Sequence, residues 1–347
     1  MIVITGDYPN TSQFVLSEIG MPVSKDEIIT GSQLEKMIKE ELEQKVKTVR
    51  LFARTTPDQK LKIVEALKKN GEIVAMMGDG VNDAPALHQA DIGIVVEEAT
   101  DVAKESADLV LLDSDFATII AAIEEGRGIF ENIRKIILYL MSDAFGEIIV
   151  VVGGIFLGLP LPITAVQILW INLISDGFPN LALTIDPKRG GIMKEKPRLS
   201  KEPLLSPWMI LLISFISLAS GLVALLFFYY IYRSSSDITL ARSAAFATLG
   251  LNSLVYVFAV RTLTIPFWKN NLFENQWLIL AVILGFSLQI LPFTTPTLRE
   301  FFGIKNLEIN YWFVAISLSL LMFVFVEIFK LAYGLNFVKV LLRQSSK

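Results

Sequence analysis

Two carboxylates and an amide stand close together in Gly78-Asp79-Gly80-Val81-Asn82-Asp83. Carboxylate oxygens are hard ligands of the kind that hold Mg²⁺ beside a phosphate. Gly78 and Gly80 let the backbone approach such a ligand closely. Thr5-Gly6-Asp7 offers a hydroxyl and backbone N–H groups, the donors of a phosphate cradle. Lys60 lies just inside a helix that starts near Pro57, where an ammonium can point at a phosphate. The plainer alternatives are a helix cap for Asn82 and Asp83, a simple turn for Thr5-Gly6-Asp7, and a solvated lysine like Lys62, Lys68 and Lys69.

The elements around these residues would deliver them to one edge of a sheet. Residues 72–77 read as a short buried strand after the breaker Asn70-Gly71, and residues 2–4 as another ending at Thr5. Further strands are expected over 48–53, 92–96 and 108–112. Between them come a helix at 11–19, a polar connection at 21–32, a charged helix at 34–45, and a helix at 58–69. Leu61, Ile63, Val64, Ala66 and Leu67 form a stripe on the last of these. Strands alternating with helices predict a parallel sheet, with ligands at the carboxyl ends of its strands.

Composition sets the class. The chain has 347 residues, 53% of them hydrophobic, and a mean hydropathy of +0.54, too apolar for an ordinary soluble protein. A net charge of −4 gives no sign of nucleic-acid binding. Without cysteine there is no disulfide, thiolate metal site or cysteine nucleophile. The single histidine, His88, reads as a helix-surface residue. Residues 1–7 lack the basic start and long apolar core of a signal peptide.

From residue 129 onward, apolar stretches of bilayer length recur. Six spans are expected, at 130–157, 163–185, 208–232, 243–260, 276–293 and 311–333. The loop 186–207 carries Lys188, Arg189, Lys194, Lys196, Arg198 and Lys201, which the positive-inside rule puts in the cytoplasm. The soluble domain then lies on the same side, as does the C-terminus with Lys339, Arg343 and Lys347. Trp208, Trp268, Trp277 and Trp312 fall near span ends, where interfacial aromatics are favoured. Residues 124–135 look helical despite Gly126 and Gly128. One long helix is therefore expected to run from soluble domain into membrane.

Polar residues inside these spans demand a reason. Asp143 and Glu147 share one helix face in the first span, and Asn172, Ser175 and Asp176 share one in the second. A carboxylate in hydrocarbon costs about 3 kcal/mol or more. A cation held between the two helices would offset that cost, and an oxygen-only set suits a hard ion such as Ca²⁺. Mn²⁺, Na⁺, K⁺ and H⁺ are further candidates, and hydrogen bonding between protonated acids is the alternative. Gly177 and Pro179 predict local unwinding that frees carbonyls as extra ligands. Glu327, near the end of the last span, is expected to snorkel to the interface.

The strings ITGD, ARTTPDQKLKIVEAL, MGDGVNDAPAL, ADIGIVV, EEGRGIFENIRKII and ILWINLISDG cover much of the chain. Together they resemble the second half of a P-type cation-transporting ATPase, closest to the calcium-pump branch. The resemblance implies a partial haloacid-dehalogenase-like, Rossmann-like α/β domain over 1–125. A bundle of six transmembrane helices over 126–347 would follow it. It implies ATP-driven pumping through an aspartyl-phosphate. Asp79 would hold Mg²⁺, Asn82 and Asp83 would support the phosphate site, and Thr5, Gly6 and Lys60 would contact the phosphoryl group. Glu147, Asn172 and Asp176 match transport positions, and Ser175 stands where calcium pumps carry threonine. The DKTG string with the phosphorylated aspartate does not occur here. The nucleotide-binding domain, actuator domain and first four spans of the family are also expected to be missing. Ala144 aligns with an asparagine of the family, with Asp143 one residue earlier, and Gly250 aligns with a glutamate of two-site pumps. One ion per cycle is the expectation.

The reading is then the C-terminal part of a cation pump, inactive in ATP hydrolysis by itself, with a separately encoded N-terminal half as a possible partner. Two rivals belong to other classes. A membrane-anchored phosphatase would need a nucleophile on the first strand, for which Asp7 is the positional candidate. A non-catalytic ion-binding or channel-like protein would need only the membrane acids.

Overall fold

The computed structural model describes every residue except 114, 199–201, 264 and 345–347, and only the backbone of 116 and 333–344. Lys201 and Lys347, with the side chains of Lys339 and Arg343, therefore lie outside the described residues. The chain divides into two compact units. One is Met1–Ile123 with Lys196–Glu202, the other Glu124–Glu195 with Pro203–Lys347.

The first unit alternates short strands and helices: β1 (Val3–Ile4), α1 (Pro9–Glu18), β2 (Ile28–Thr30), α2 (Gly31–Leu34), α3 (Lys39–Lys45), β3 (Leu51–Ala53), α4 (Pro57–Lys69), β4 (Ala75–Met77), α5 (Ala84–Gln89), β5 (Ile92–Val96), α6 (Asp101–Glu105) and β6 (Leu109–Leu111). All pairings are parallel, but the strands form two three-stranded sheets, ordered β1-β3-β2 and β4-β5-β6. Helix α4 serves both. Its Ile63 and Ala66 join Phe52 and Ile29 in one core, while Val64 joins Met76, Leu87 and Val95 in another. It starts firmly because Thr56 and Gln59 form a reciprocal capping box around Pro57.

Two local expectations need correction. The polar connection at 21–32 contains β2, which pairs with β3 and buries Ile29 opposite Phe52. With only two apolar residues, it is too short to show a period. The charged helix at 34–45 is two helices, because the chain leaves helical geometry and Ile38 is extended.

The second unit, which begins at Glu124 within the first helix named next, is helical. α7 (Phe116–Phe156) is followed by α8 (Ala165–Trp170), a π turn (Ile171–Asp176), α9 (Gly177–Thr184), α10 (Pro207–Ser235), α11 (Ile238–Val260), α12 (Gln276–Thr294), α13 (Pro296–Phe302) and α14 (Ile309–Gln344). Helix α7 is unbroken through Gly126 and Gly128. Its 41 residues would reach about 60 Å at the helical rise, twice the thickness of a bilayer core.

Among the described residues five helices are long and apolar enough to cross a membrane, not six: α7, α10, α11, α12 and α14. The expected second span is instead α8, the π turn and α9 in sequence. Pro179 explains the break. It has no N–H to give Ser175, four residues back, and its ring crowds that carbonyl. The backbone widens just before it, and the Tyr139 hydroxyl donates to the Ser175 carbonyl at 3.1 Å instead.

Helix α11 is the centre, 89% buried along its apolar window, against α10, α12, α14 and the π turn. Tyr139 of α7 meets Tyr256 of α11 with ring centroids 5.3 Å apart. Glu327 does not snorkel. It is buried, accepts from Lys330 Nζ at 2.7 Å and from the Phe267 N–H at 3.1 Å. Lys330 also donates to the Ala259 carbonyl, so the pair closes the end of α11. Two basic residues of the loop after α9 are also paired. Lys188 meets Glu125 at 2.6 Å and Arg189 meets Glu131 at 3.5 Å, both acids on α7.

Candidate functional sites

In the first unit, the strand ends place the predicted residues as follows. Thr5 follows β1, and its carbonyl accepts from both the N–H and the hydroxyl of Thr55, which follows β3, each at 3.0 Å. The Thr5 hydroxyl accepts from the Asp7 N–H at 3.1 Å, which tightens the turn around exposed Gly6. Next to Thr55, Thr56 caps α4, and Lys60 in the first turns of that helix reaches Asp83 Oδ1 at 2.6 Å. Asp83 is buried and does not cap α5. Its Oδ2 accepts instead from the Gly80 N–H at 3.4 Å. Gly78 is required here, since a Cβ on it would stand 2.6 Å from the Asp83 Cβ. Thr5, Lys60 and Asp83 are thus joined through adjacent turns. Among the described residues no side-chain hydrogen bond joins Asn82 to them, and it is exposed, as is His88.

Asp79 is exposed at the tip of this loop, which is held by Thr100 donating to its carbonyl at 3.0 Å. Among the described residues no three acidic or histidine side chains gather to hold a metal. Mg²⁺ does not need three. It is bound through one or two carboxylates, with waters and substrate phosphates completing its octahedron. An exposed Asp79 beside a lysine-neutralised Asp83 fits that donor set.

In the second unit, α7 and the π turn bring the membrane acids within electrostatic reach of one another, though among the described residues not into a three-acid metal cluster. Asp143, Glu147, Ser175 and Asp176 are all buried. Asp143 lies within reach of Asp176, Glu147 and the Tyr256 hydroxyl. Asp176 lies against Ser253 as well, and Glu147 interacts with Asp176 across the gap. Asn172 Nδ2 donates to Glu147 Oε2 at 3.3 Å. Asn172 is itself exposed, so the site is open on that flank. Asp143 Oδ2, Glu147 Oε1 and both oxygens of Asp176 are buried without a hydrogen-bond partner of good geometry. Such atoms cost several kcal/mol each if charged. The oxygen-only donor set suits a hard cation.

Residues of α11 and α12 were not expected here. Ser253, Tyr256 and Gln289 are fully buried around the π turn. Ser253 and Tyr256 share a helix face, and Gln289 is a lone amide in an apolar stretch. That pattern is the available signal, because intramembrane polar groups seek partners.

Comparison with known proteins bears on both units. Residues 160–332 match the family described as cation transporting ATPase, C-terminus. Residues 1–91 match haloacid dehalogenase-like hydrolase. The chain belongs to the P-type cation-transporting ATPases and corresponds to a C-terminal part of them. It is 41% identical over 322 residues to a calcium-transporting ATPase of Bacillus subtilis, covering 92% of this chain and 36% of that one. Calcium-transporting ATPase 1 of Bacillus cereus is 39% identical over 348 residues, covering 95% and 39%. A probable cation-transporting ATPase F of Mycobacterium bovis is 38% identical over 318 residues, covering 89% and 35%. The chain therefore spans little more than a third of the length of these curated relatives. Each relative carries its additional length in one polypeptide, which gives no support to a separately encoded N-terminal half. The family uses Mg²⁺ and ATP.

Proposed function

We propose that this chain is the transport-site part of an ATP-driven cation pump, carrying Ca²⁺ or a similar hard cation at one site between α7 and the π turn. The observation that carries the reading is the set of unpaired carboxylate oxygens on Asp143, Glu147 and Asp176, buried beside a helix that has opened its backbone. Asn172 and Ser175 would complete the ligand set. The segment 165–184 would be the sixth span, crossing the bilayer as a broken helix. The first unit, the loop 186–207 and the C-terminus would all be cytoplasmic.

In the first unit, Mg²⁺ when bound would neutralise phosphate charge, with Asp79 as its protein ligand. The Thr5 hydroxyl and Gly6 N–H would orient the phosphoryl oxygens. Lys60 is held by Asp83 where it could turn toward an arriving phosphate, and Asn82 would support the same pocket. The aspartyl nucleophile of the family is not among these residues, so phosphoryl transfer needs the rest of the family's length. Helix α7 would be the mechanical link from phosphate chemistry to the carboxylates.

Binding of radioactive Ca²⁺ to the purified chain in detergent tests the reading. Saturable binding that Asp176→Asn weakens supports it. Unchanged affinity in Asp176→Asn would remove the proposed site.

A further inference from the structure

A closed circuit of hydrogen bonds surrounds the π turn. The Tyr256 hydroxyl on α11 donates to the Tyr139 carbonyl on α7 at 3.2 Å. The Tyr139 hydroxyl donates to the Ser175 carbonyl at 3.1 Å. The Ser175 hydroxyl donates to Gln289 Oε1 on α12 at 3.3 Å. Gln289 Nε2 then donates to the Phe246 carbonyl at 3.1 Å, returning to α11. These partners fix the amide's orientation. Its nitrogen must face a carbonyl, which leaves its oxygen to the serine.

Gly250 makes room for that amide. A Cβ there would stand 2.4 Å from Gln289 Nε2 and 2.5 Å from its Cδ. Gly250 and Gln289 thus act as a matched pair, the missing side chain of one admitting the amide of the other. Among the described residues, the side-chain hydrogen bonds of Gln289 go to Ser175 and Phe246 and not to a carboxylate. Their effect passes through Ser175, next in sequence to Asp176, whose two oxygens are unpaired.

We propose that Gln289, admitted by Gly250, is a positioning residue that pins the π turn and thereby sets the affinity of the Asp176 site for divalent cations. The inference rests on the ion-site reading above. A partner that orients a ligand without touching the metal changes its affinity by about tenfold or more.

The test uses the full chain in detergent, with Mn²⁺ as probe read by electron paramagnetic resonance, and amide exchange over residues 171–177. Gln289→Met keeps the volume but offers Ser175 only a weak thioether acceptor and has no N–H for the Phe246 carbonyl. Gly250→Ala keeps every polar group but displaces the amide. Each is expected to weaken Mn²⁺ binding about tenfold and to speed exchange across the turn. Gly250→Ala added to Gln289→Ala should cost nothing further, since the methyl then has space. Wild-type affinity and exchange in both single variants would overturn the pin, as would additive losses in the double variant. If Asp176→Asn abolishes binding while the two pin variants retain it, the ion site stands and the pin falls. If wild type binds no Mn²⁺, the ion site falls and with it the pin's role in affinity. Exchange then decides the positioning alone, faster in Gln289→Met if it holds and unchanged if it does not.

Discussion

The helical unit buries two groups of acids and treats them in opposite ways. Asp186, at the end of the broken segment, is 5% exposed, yet its charge is fully answered. Lys135 Nζ reaches its Oδ2 at 2.8 Å and Arg261 Nε its Oδ1 at 2.7 Å. Asn275 donates to the same carboxylate at 2.9 Å, and Asn132 to its backbone carbonyl at 2.8 Å. Asp143, Glu147 and Asp176 are as well buried, but among the described residues no ion pair engages them and several of their oxygens lack a partner. Where the chain wants a structural acid, it supplies lysine and arginine. Where it does not, the proposed site leaves the positive charge to a bound cation. This contrast, more than the presence of carboxylates in a membrane, supports the proposed ion site.

The contrast can be broken by substitution, most severely at the paired end. Asp186→Asn leaves Lys135 without its buried counter-charge and should cost about 3–5 kcal/mol, read as a collapse of the thermal midpoint in detergent. Asp176→Asn removes a charge that has no partner. It should leave the midpoint in chelator unchanged or higher, while abolishing the rise that Ca²⁺ gives wild type. A fall as large as that of Asp186→Asn would show that Asp176 is structural. Lys60→Met in the first unit is expected to fall between these, at about 1–3 kcal/mol, because Asp83 loses its charge-assisted partner in a mostly buried place.

The smallest effect should come from Lys68 and Asp91, 3.1 Å apart and each about a third exposed. Burial raises the Asp91 carboxyl, but the Val74 N–H and Lys68 outweigh it and leave it below the ordinary value. A lowered carboxyl stabilises the fold above its unfolded pKa, and that contribution is lost as pH falls through the folded value. Asp91→Asn should therefore flatten acid destabilisation below pH about 4, by no more than about 0.5 kcal/mol after screening. A larger effect would mean that exposed pairs here matter as buried ones do.

Much of this arrangement could be read from residue order. Apolar runs located all five long helices, except that α7 starts well before its apolar run and α14 continues well past its own. Its first turns are amphipathic, and Gly126 and Gly128 look like interruptions. Spacing puts Asp143 and Glu147 on one helix face and Asn172, Ser175 and Asp176 on another, and the Asn172–Glu147 bond runs between the two segments. The pairing of Lys60 with Asp83 was not legible, because a lysine among lysines carries no mark of its partner. Gln289 and Lys330 were equally silent. Each depends on which helices become neighbours, a property of tertiary packing that period and composition do not encode. The π turn was foreshadowed by Gly177 and Pro179, but its widened form depends on Tyr139 replacing the lost donor.

The π turn holds one more residue than an α turn would, and that surplus is caught between two moorings. Upstream, Gln167 donates to the Phe302 carbonyl at 2.9 Å. Downstream, Asp186 is tied to three other elements. Neither end can rotate to let the extra residue run out, so the slack stays where the carboxylate is. Were the turn to tighten, everything on one side would swing by about 100°, the angle of a single helical residue. Asp176 would be carried off the side that faces α7. The two moorings, by keeping the slack in, are thus what hold the Asp176 carboxylate on that side.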